Sequence, residues 1–411
     1  MPDLLVRRAG RVFGRESDAP VCIVVGHGRI AGIVDESALR TDTVSGLLEA
    51  LDPAQVGAMD PVRVRVPDAT SDELPELDAD GRAVIPGFVD AHTHLVFAGD
   101  RADEFGARLA GKPYEAGGIM RTVKSTREAS IEDLTAGVVE RAAMCIRGGT
   151  TTIEVKSGYG LDTATELKSL QAVAAAAEMS APDLVPTFLG AHLDPEPGYL
   201  DLLVNEMLPA CAPLAESCDA FCDVGALSVD SSRRVLEAGK AHGLVPRIHA
   251  EELSHTGGAM LAAEIGCASA DHLVHVTEED AKALARSGVV AVLLPATSFC
   301  LRSAYAPARM LMDAGAEIAL ATDCNPGTSY TTSMAFVIAV ACSEYGMSAD
   351  EAVRAATWGG AQALRRDDIG HLGPGARGDM VVIDGDDWVD LAYHPGMDVV
   401  AHVTKNGSVV R

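Results

Sequence analysis

From Ile85 onward, short apolar runs and segments with helical periodicity alternate eight times along this 411-residue chain. The runs at 87–91, 151–155, 184–189, 220–224, 244–248, 268–271, 289–294 and 318–321 read as strands. Between them, 131–146, 163–179, 199–214, 231–241, 256–265, 278–285 and 306–314 carry apolar residues at helical spacing. That order implies parallel strands joined by helical crossovers. Eight repeats over this length favour a closed (β/α)8, TIM-like barrel over an open sheet.

The ends of the chain read differently. Strand candidates at 4–7, 21–25 and 30–34 precede the alternation, and 380–383, 399–404 and 409–410 follow it, after helices near 333–344, 349–356 and 360–364. This predicts an α/β protein in which a small β-sandwich domain, residues 1–86 with 373–411, flanks a barrel domain over 87–372. Residues 35–81, rich in Asp, Pro, Ser and Thr, read as an elaborated loop with a helix near 44–51 and a strand at 62–66.

Charge narrows the partners. Asp and Glu outnumber Lys and Arg by 59 to 33, a formal charge of −26, so nucleic acid and anionic membranes are repelled at long range. The first ten residues lack the apolar core of a secretory signal. The nine cysteines are odd in number and scattered, with neither a disulfide framework nor zinc-ribbon spacing. A cytoplasmic protein acting on a small molecule is the expectation.

The chemistry begins at His92-Thr93-His94, directly after the first strand. Two residues apart on extended chain, both imidazoles face one side and can share a cation. Such a triplet is weak by itself; its position gives it weight. His249 ends the fifth strand, His272 the sixth, and Asp323 the eighth. In a closed parallel barrel these ends converge on one rim, where catalytic groups collect. Three imidazoles and a carboxylate make a first shell for zinc or iron with room for water.

Glu252, three residues past His249, can reach that water or a leaving group, whereas Glu251 reads as a solvated acid at a helix start. His272 is either a further ligand or a group that polarises the substrate carbonyl; spacing leaves both open. Arg101, Tyr159 and His192 follow the first three strands, and an Arg with a nearby Tyr hydroxyl suits a substrate carboxylate. The plainer alternative for Arg101 is a surface ion pair with Asp100 or Asp103. Lys156 follows the second strand, where a carboxylated lysine could bridge two metals. The fourth strand offers no lysine, so a two-metal site is not supported. No nucleophile elbow or Walker loop is present.

Pro86-Gly87-Phe88-Val89-Asp90-Ala91-His92-Thr93-His94, with His249, His272 and Thr322-Asp323, resembles the amidohydrolase superfamily. Within it the chain is similar to the imidazolonepropionase family through five motifs: Val96-Phe97-Ala98-Gly99-Asp100-Arg101, Glu154-Val155-Lys156-Ser157-Gly158-Tyr159-Gly160-Leu161, Thr187-Phe188-Leu189-Gly190-Ala191-His192, His249-Ala250-Glu251 and Thr322-Asp323-Cys324-Asn325-Pro326-Gly327. The likeness runs over residues 82–411.

The resemblance implies hydrolysis of the cyclic C–N bond of 4-imidazolone-5-propanoate to N-formimidoyl-L-glutamate, a step of histidine degradation, by hydroxide generated at one Zn²⁺ or Fe ion per subunit. It assigns the ion to His92, His94, His249 and Asp323, and catalysis to Glu252, His272 and Asp323. Arg101, Tyr159, His192 and Thr328 would hold the substrate, with Asn325 and Gly327 near the opened product. A homodimer is implied as well. The chain departs from the family in the longer, more acidic 35–81 segment. Two other readings use the same residues: a deaminase of a nucleobase-like ring, and a non-catalytic barrel scaffold. The anionic anchor favours the hydrolase, and an aromatic content of only 4% disfavours a stacking pocket.

Overall fold

Strand β1 (Leu4–Ala9) lies between β2 (Val21–Gly26) and β4 (Glu76–Asp78), with β3 (Arg29–Asp35) outside β2; only β4 runs parallel to its neighbour. The computed structural model describes residues 4–15, 19–38, 75–111 and 118–411. The helix expected near 44–51 and the strand at 62–66 lie outside them.

A short strand, β5 (Val84–Pro86), leads into eight parallel strands: β6 (Phe88–Asp90), β7 (Thr150–Lys156), β8 (Asp183–Ala191), β9 (Ser217–Cys222), β10 (Val245–Ala250), β11 (Ser269–His272), β12 (Val290–Leu293) and β13 (Ile318–Leu320). Each pairs with the next in chain order. The ring closes just past β6 and β13. There the Asp323 amide donates to the His92 carbonyl and the His94 amide to the Cys324 carbonyl, both at 3.0 Å. Buried Asp90 accepts from the Thr322 amide at 3.0 Å and its hydroxyl at 2.6 Å. Closure and site are therefore built from the same residues.

After the barrel, β14 (Met380–Ile383), β15 (Val400–Lys405) and β16 (Ser408–Val409) form a second four-stranded sheet completed by β5. Leu4, Val6, Ile23, Val25 and Ile30 of the first sheet share one buried apolar cluster with Val84, Met380 and Val382 of the second. Both termini thus build one small sandwich beside the barrel.

The barrel strands fall close to the expected runs, with one shift. The fourth occupies Ser217–Cys222 rather than 220–224, because Ser217 and Asp219 are polar residues in a buried strand. Helices at 349–356 and 360–364 form one run from Ala349 to Ala363 through a wide turn. In it a Cβ at Gly359 would strike the Ile318 carbonyl and one at Gly360 the Val89 carbonyl, so these glycines let the helix lie on the strands. The helix Ile119–Glu128 escaped the sequence reading because two of its four buried positions are threonines, Thr122 and Thr126.

Candidate active site and metal centre

The strand alternation sets the site. On β10, Ile248 and Ala250 join the apolar cluster outside the barrel, while Arg247 and His249 take the other face. At the rim His92, His94 and His249 come together, with one nitrogen of each within 4.8 Å of the others. Asp323 Oδ1 lies 3.6 Å from His92 Nε2 and 3.4 Å from His94 Nε2. Its Oδ2 accepts from the Thr297 hydroxyl at 2.6 Å. Asp323 takes a φ of +51°, a left-handed backbone that costs energy outside glycine and clusters at functional positions.

The donors suit a metal ion. His92 Nε2 and His249 Nε2 are buried and have no hydrogen-bond partner, an arrangement that is costly unless a ligand completes it. Their other ring nitrogens are anchored: His92 Nδ1 on Asp271 Oδ2 at 2.6 Å and His249 Nδ1 on Asp219 Oδ1 at 3.1 Å. Carboxylates in these positions place the proton on Nδ1 and leave Nε2 as a lone-pair donor. Burial, with neighbouring cations, pushes His92 and His94 well below the usual histidine range, so both are neutral. Burial would depress His249 too, but Asp219 outweighs it and raises its basicity.

His272 stands outside this three-nitrogen group. Its ring is 5.3 Å from that of His249, and its Nε2 faces Glu252 Oε2 at 3.7 Å. Burial holds His272 well below the usual histidine range. Burial, then the charge of Asp323, raises Glu252 to about 8, and burial raises Asp323 to about 6. Glu251 is an acid at a helix start, but a buried rather than a solvated one. Its carboxylate accepts from the amides of Thr256, Gly257 and Ala259 at the head of the helix Gly258–Ile265.

His94, His249, Glu252, His272 and Asp323 line one cleft together with Arg101, Tyr159, His192, Asn325 and Thr328. Arg101 pairs with Glu104, at 2.8 and 2.6 Å, rather than with Asp100 or Asp103, and is buried. His192 stacks on His94 at 5.3 Å and its Nδ1 meets the Gly158 carbonyl at 3.0 Å. Asn325 Oδ1 accepts from the amides of Gly327 and Thr328, both at 2.8 Å, which shapes the turn after β13. Gly327 does not line this cleft. It sits behind Arg101, where a Cβ would collide with the guanidinium.

Sequence reading missed the partners beneath the rim. Lys156 is an ammonium ion-paired with Glu154 at 2.8 Å and Asp219 at 2.7 Å, not a free lysine awaiting carboxylation. Glu166 accepts from the amides of Gly158, Gly160 and Leu161 at 2.8, 2.6 and 2.9 Å, holding the loop that carries Tyr159. One signal was available: Glu154 and Lys156 are charged residues two apart in a strand that is otherwise apolar or Thr, so both face the same way.

The chain is also similar to known proteins. Residues 205–411 match the Amidohydrolase family. Imidazolonepropionase of Mycolicibacterium smegmatis is 53% identical over 340 residues, spanning 81% of this chain and 84% of that protein. Imidazolonepropionase of Streptomyces coelicolor is 52% identical over 337 residues, 80% and 85% of the two chains. That of Haloarcula marismortui is 48% identical over 369 residues, 87% of each. Among solved structures, 5-methylcytosine deaminase from Klebsiella pneumoniae superposes with a TM-score of 0.75 at 17% identity, covering 99% of this chain and 97% of that one. N-isopropylammelide isopropylaminohydrolase from Burkholderia multivorans gives 0.71 at 20% identity, over 100% and 98%. At such identities the solved structures speak for the barrel alone, whereas the sequence relatives reach the level of family. The chain belongs to the amidohydrolase family and, within it, to the imidazolonepropionases.

Proposed function

We propose that the cleft hydrolyses the ring C–N bond of 4-imidazolone-5-propanoate to give N-formimidoyl-L-glutamate, with one Zn²⁺ or Fe ion per subunit held by His92, His94, His249 and Asp323. The convergence of the three histidines in one buried group, with Asp323 beside His92 and His94, carries the reading. When bound, such an ion brings the pKa of a coordinated water toward neutrality and polarises a carbonyl.

The protein's own groups account for the rest. Asp323, a buried carboxylate 3.4–3.6 Å from the ring nitrogens of His94 and His92, is the base that takes a proton from the attacking water. Glu252, raised to about 8, is protonated at neutral pH and delivers its own proton to the ring nitrogen as the C–N bond opens; the proton taken up by Asp323 then restores it. Neutral His272 stabilises the charge that develops on the carbonyl oxygen. Arg101, braced by Glu104, and Tyr159 hold the propanoate, while His192, Asn325 and Thr328 border the ring and fix its approach. Gly327 contributes by letting Arg101 sit close to the turn.

The domain division is a small composite β domain, 1–86 with 373–411, and a barrel hydrolase domain, 87–372. The active form is a homodimer, checked by sedimentation. Nine free thiols fit the reducing cytoplasm. No helix of the described residues is long and apolar enough to cross a membrane. An ultraviolet assay of imidazolonepropanoate consumption, with the product identified by mass, tests the activity. Formimidoylglutamate is the expected product. Ammonia release from a nucleobase, with imidazolonepropanoate untouched, would return the deaminase reading.

A further inference from the structure

We infer that Lys156 is a positioning residue of the metal centre, one buried ammonium that holds three carboxylates, each of which fixes one part of the three-histidine group. The inference rests on the proposed ligand set of His92, His94 and His249. Lys156 Nζ lies 2.8 Å from Glu154 Oε1, 2.7 Å from Asp219 Oδ2 and 3.8 Å from Asp271 Oδ2, and all four side chains are fully buried. Each carboxylate then reaches upward. Asp219 uses its other oxygen, Oδ1, to hold His249 Nδ1, and Asp271 Oδ2 holds His92 Nδ1. Glu154 uses Oε2 to accept the amide of Thr93, the residue between His92 and His94, at 3.2 Å. The Lys156 amide also donates to the Thr93 carbonyl at 2.9 Å.

Arg247, the other cation of this layer, donates to the carbonyls of Ala91 and Ala363 at 2.7 and 2.9 Å, approaches Glu154 at 4.0 Å, and its charge also acts on Asp271, but it has no ion pair with Asp219 among the described residues. Lys156 is thus the group that joins the carboxylates behind His92 and His249. A barrel needs no such charges to stand, since apolar side chains fill this layer without desolvating ions. Here the ions terminate on ligand histidines, and carboxylates behind ligands set ring orientation and tautomer.

Zn²⁺ affinity, measured on the full chain by competition with a chelator, tests the idea, with the visible spectrum of the Co²⁺-loaded protein as a second readout. Lys156→Met is expected to weaken Zn²⁺ binding by about 10–100-fold and to alter the Co²⁺ bands. Asp219→Asn and Asp271→Asn, nearly isosteric, are expected to do the same singly, and their losses are expected to combine non-additively because they act through one cation. These two decide the matter if Lys156→Met fails to fold. Wild-type Zn²⁺ affinity and Co²⁺ spectra in the variants that fold would overturn the inference. His249→Ala separates the two levels. If it loses Zn²⁺ while the other variants bind normally, only the role of Lys156 falls. If it binds Zn²⁺ like the wild type, the ligand set itself falls.

Discussion

Glu251 and Glu252 are adjacent and identical in chemistry, but Glu251 is fully buried while Glu252 is partly buried and faces the cleft. Glu251 spends its oxygens on three helix-start amides, whereas Glu252 meets only His272, at 3.7 Å, among the polar contacts of the described residues. Burial without donors is what raises Glu252 and makes it a proton donor at neutral pH. Glu252→Gln is therefore expected to keep the metal and lose about 10²–10⁴ in kcat, read from metal content and turnover together; unimpaired turnover would remove Glu252 from the chemistry. Arg101→Ala is expected to raise KM about 10–100-fold with kcat less affected, the worth of a charge-assisted hydrogen bond to a carboxylate. An unchanged KM would reopen the identity of the substrate tail. At this scale the sequence disclosed the rim, because His92, His94, His249, His272 and Asp323 sit where strands end. It hid Asp219 and Asp271, which lie inside strands and belong to no motif read by spacing alone. It also hid Thr297, which holds Asp323 from a short helix that carries no apolar period.

Elements were legible where burial is apolar and obscure where it is polar. Strand β14 (Met380–Ile383) falls where its apolar run placed it, while β9 is displaced from its run by the buried polar residues Ser217 and Asp219. The same polarity makes the loop after β7 sensitive. Glu166 holds three of its amides, and Arg127 donates to the carbonyls of Gly160 and Leu161 at 2.7 and 3.0 Å. Glu166→Ala frees Tyr159 without touching a ligand histidine. The expected outcome is a higher KM with metal content unchanged; loss of metal would show that the loop also supports the rim. At the seam, Asp90→Ala strands the amide and hydroxyl of Thr322 and is expected to cost about 2–4 kcal/mol in denaturant unfolding. A neutral result would mean that the seam holds through its backbone bonds alone.

For the whole molecule, the sandwich and barrel are laced by ions. Asp368 accepts from Arg29 on β3 and from Arg377, both at 3.1 Å; Arg377 also pairs with Asp183 at the start of β8, which Lys405 of β15 bonds at 2.8 Å. Burial alone would raise Asp368, but Arg377 and Arg29 hold it below the ordinary carboxylate range. A depressed folded-state pKa stabilises the protein above the unfolded value of about 4, and the effect fades as pH falls through the folded value. Asp368→Asn should therefore lower Tm at pH 7, with the gap to wild type closing below about pH 4; a gap independent of pH would mean the loss is one of packing.

Anomalous diffraction from crystals of the holoenzyme tests the gathering of distant side chains around one ion most directly. We expect a single peak at about 2.0–2.2 Å from an imidazole nitrogen of His92, His94 and His249 and from an Asp323 oxygen. A metal-loaded, active protein whose peak lies away from these four residues would contradict the account.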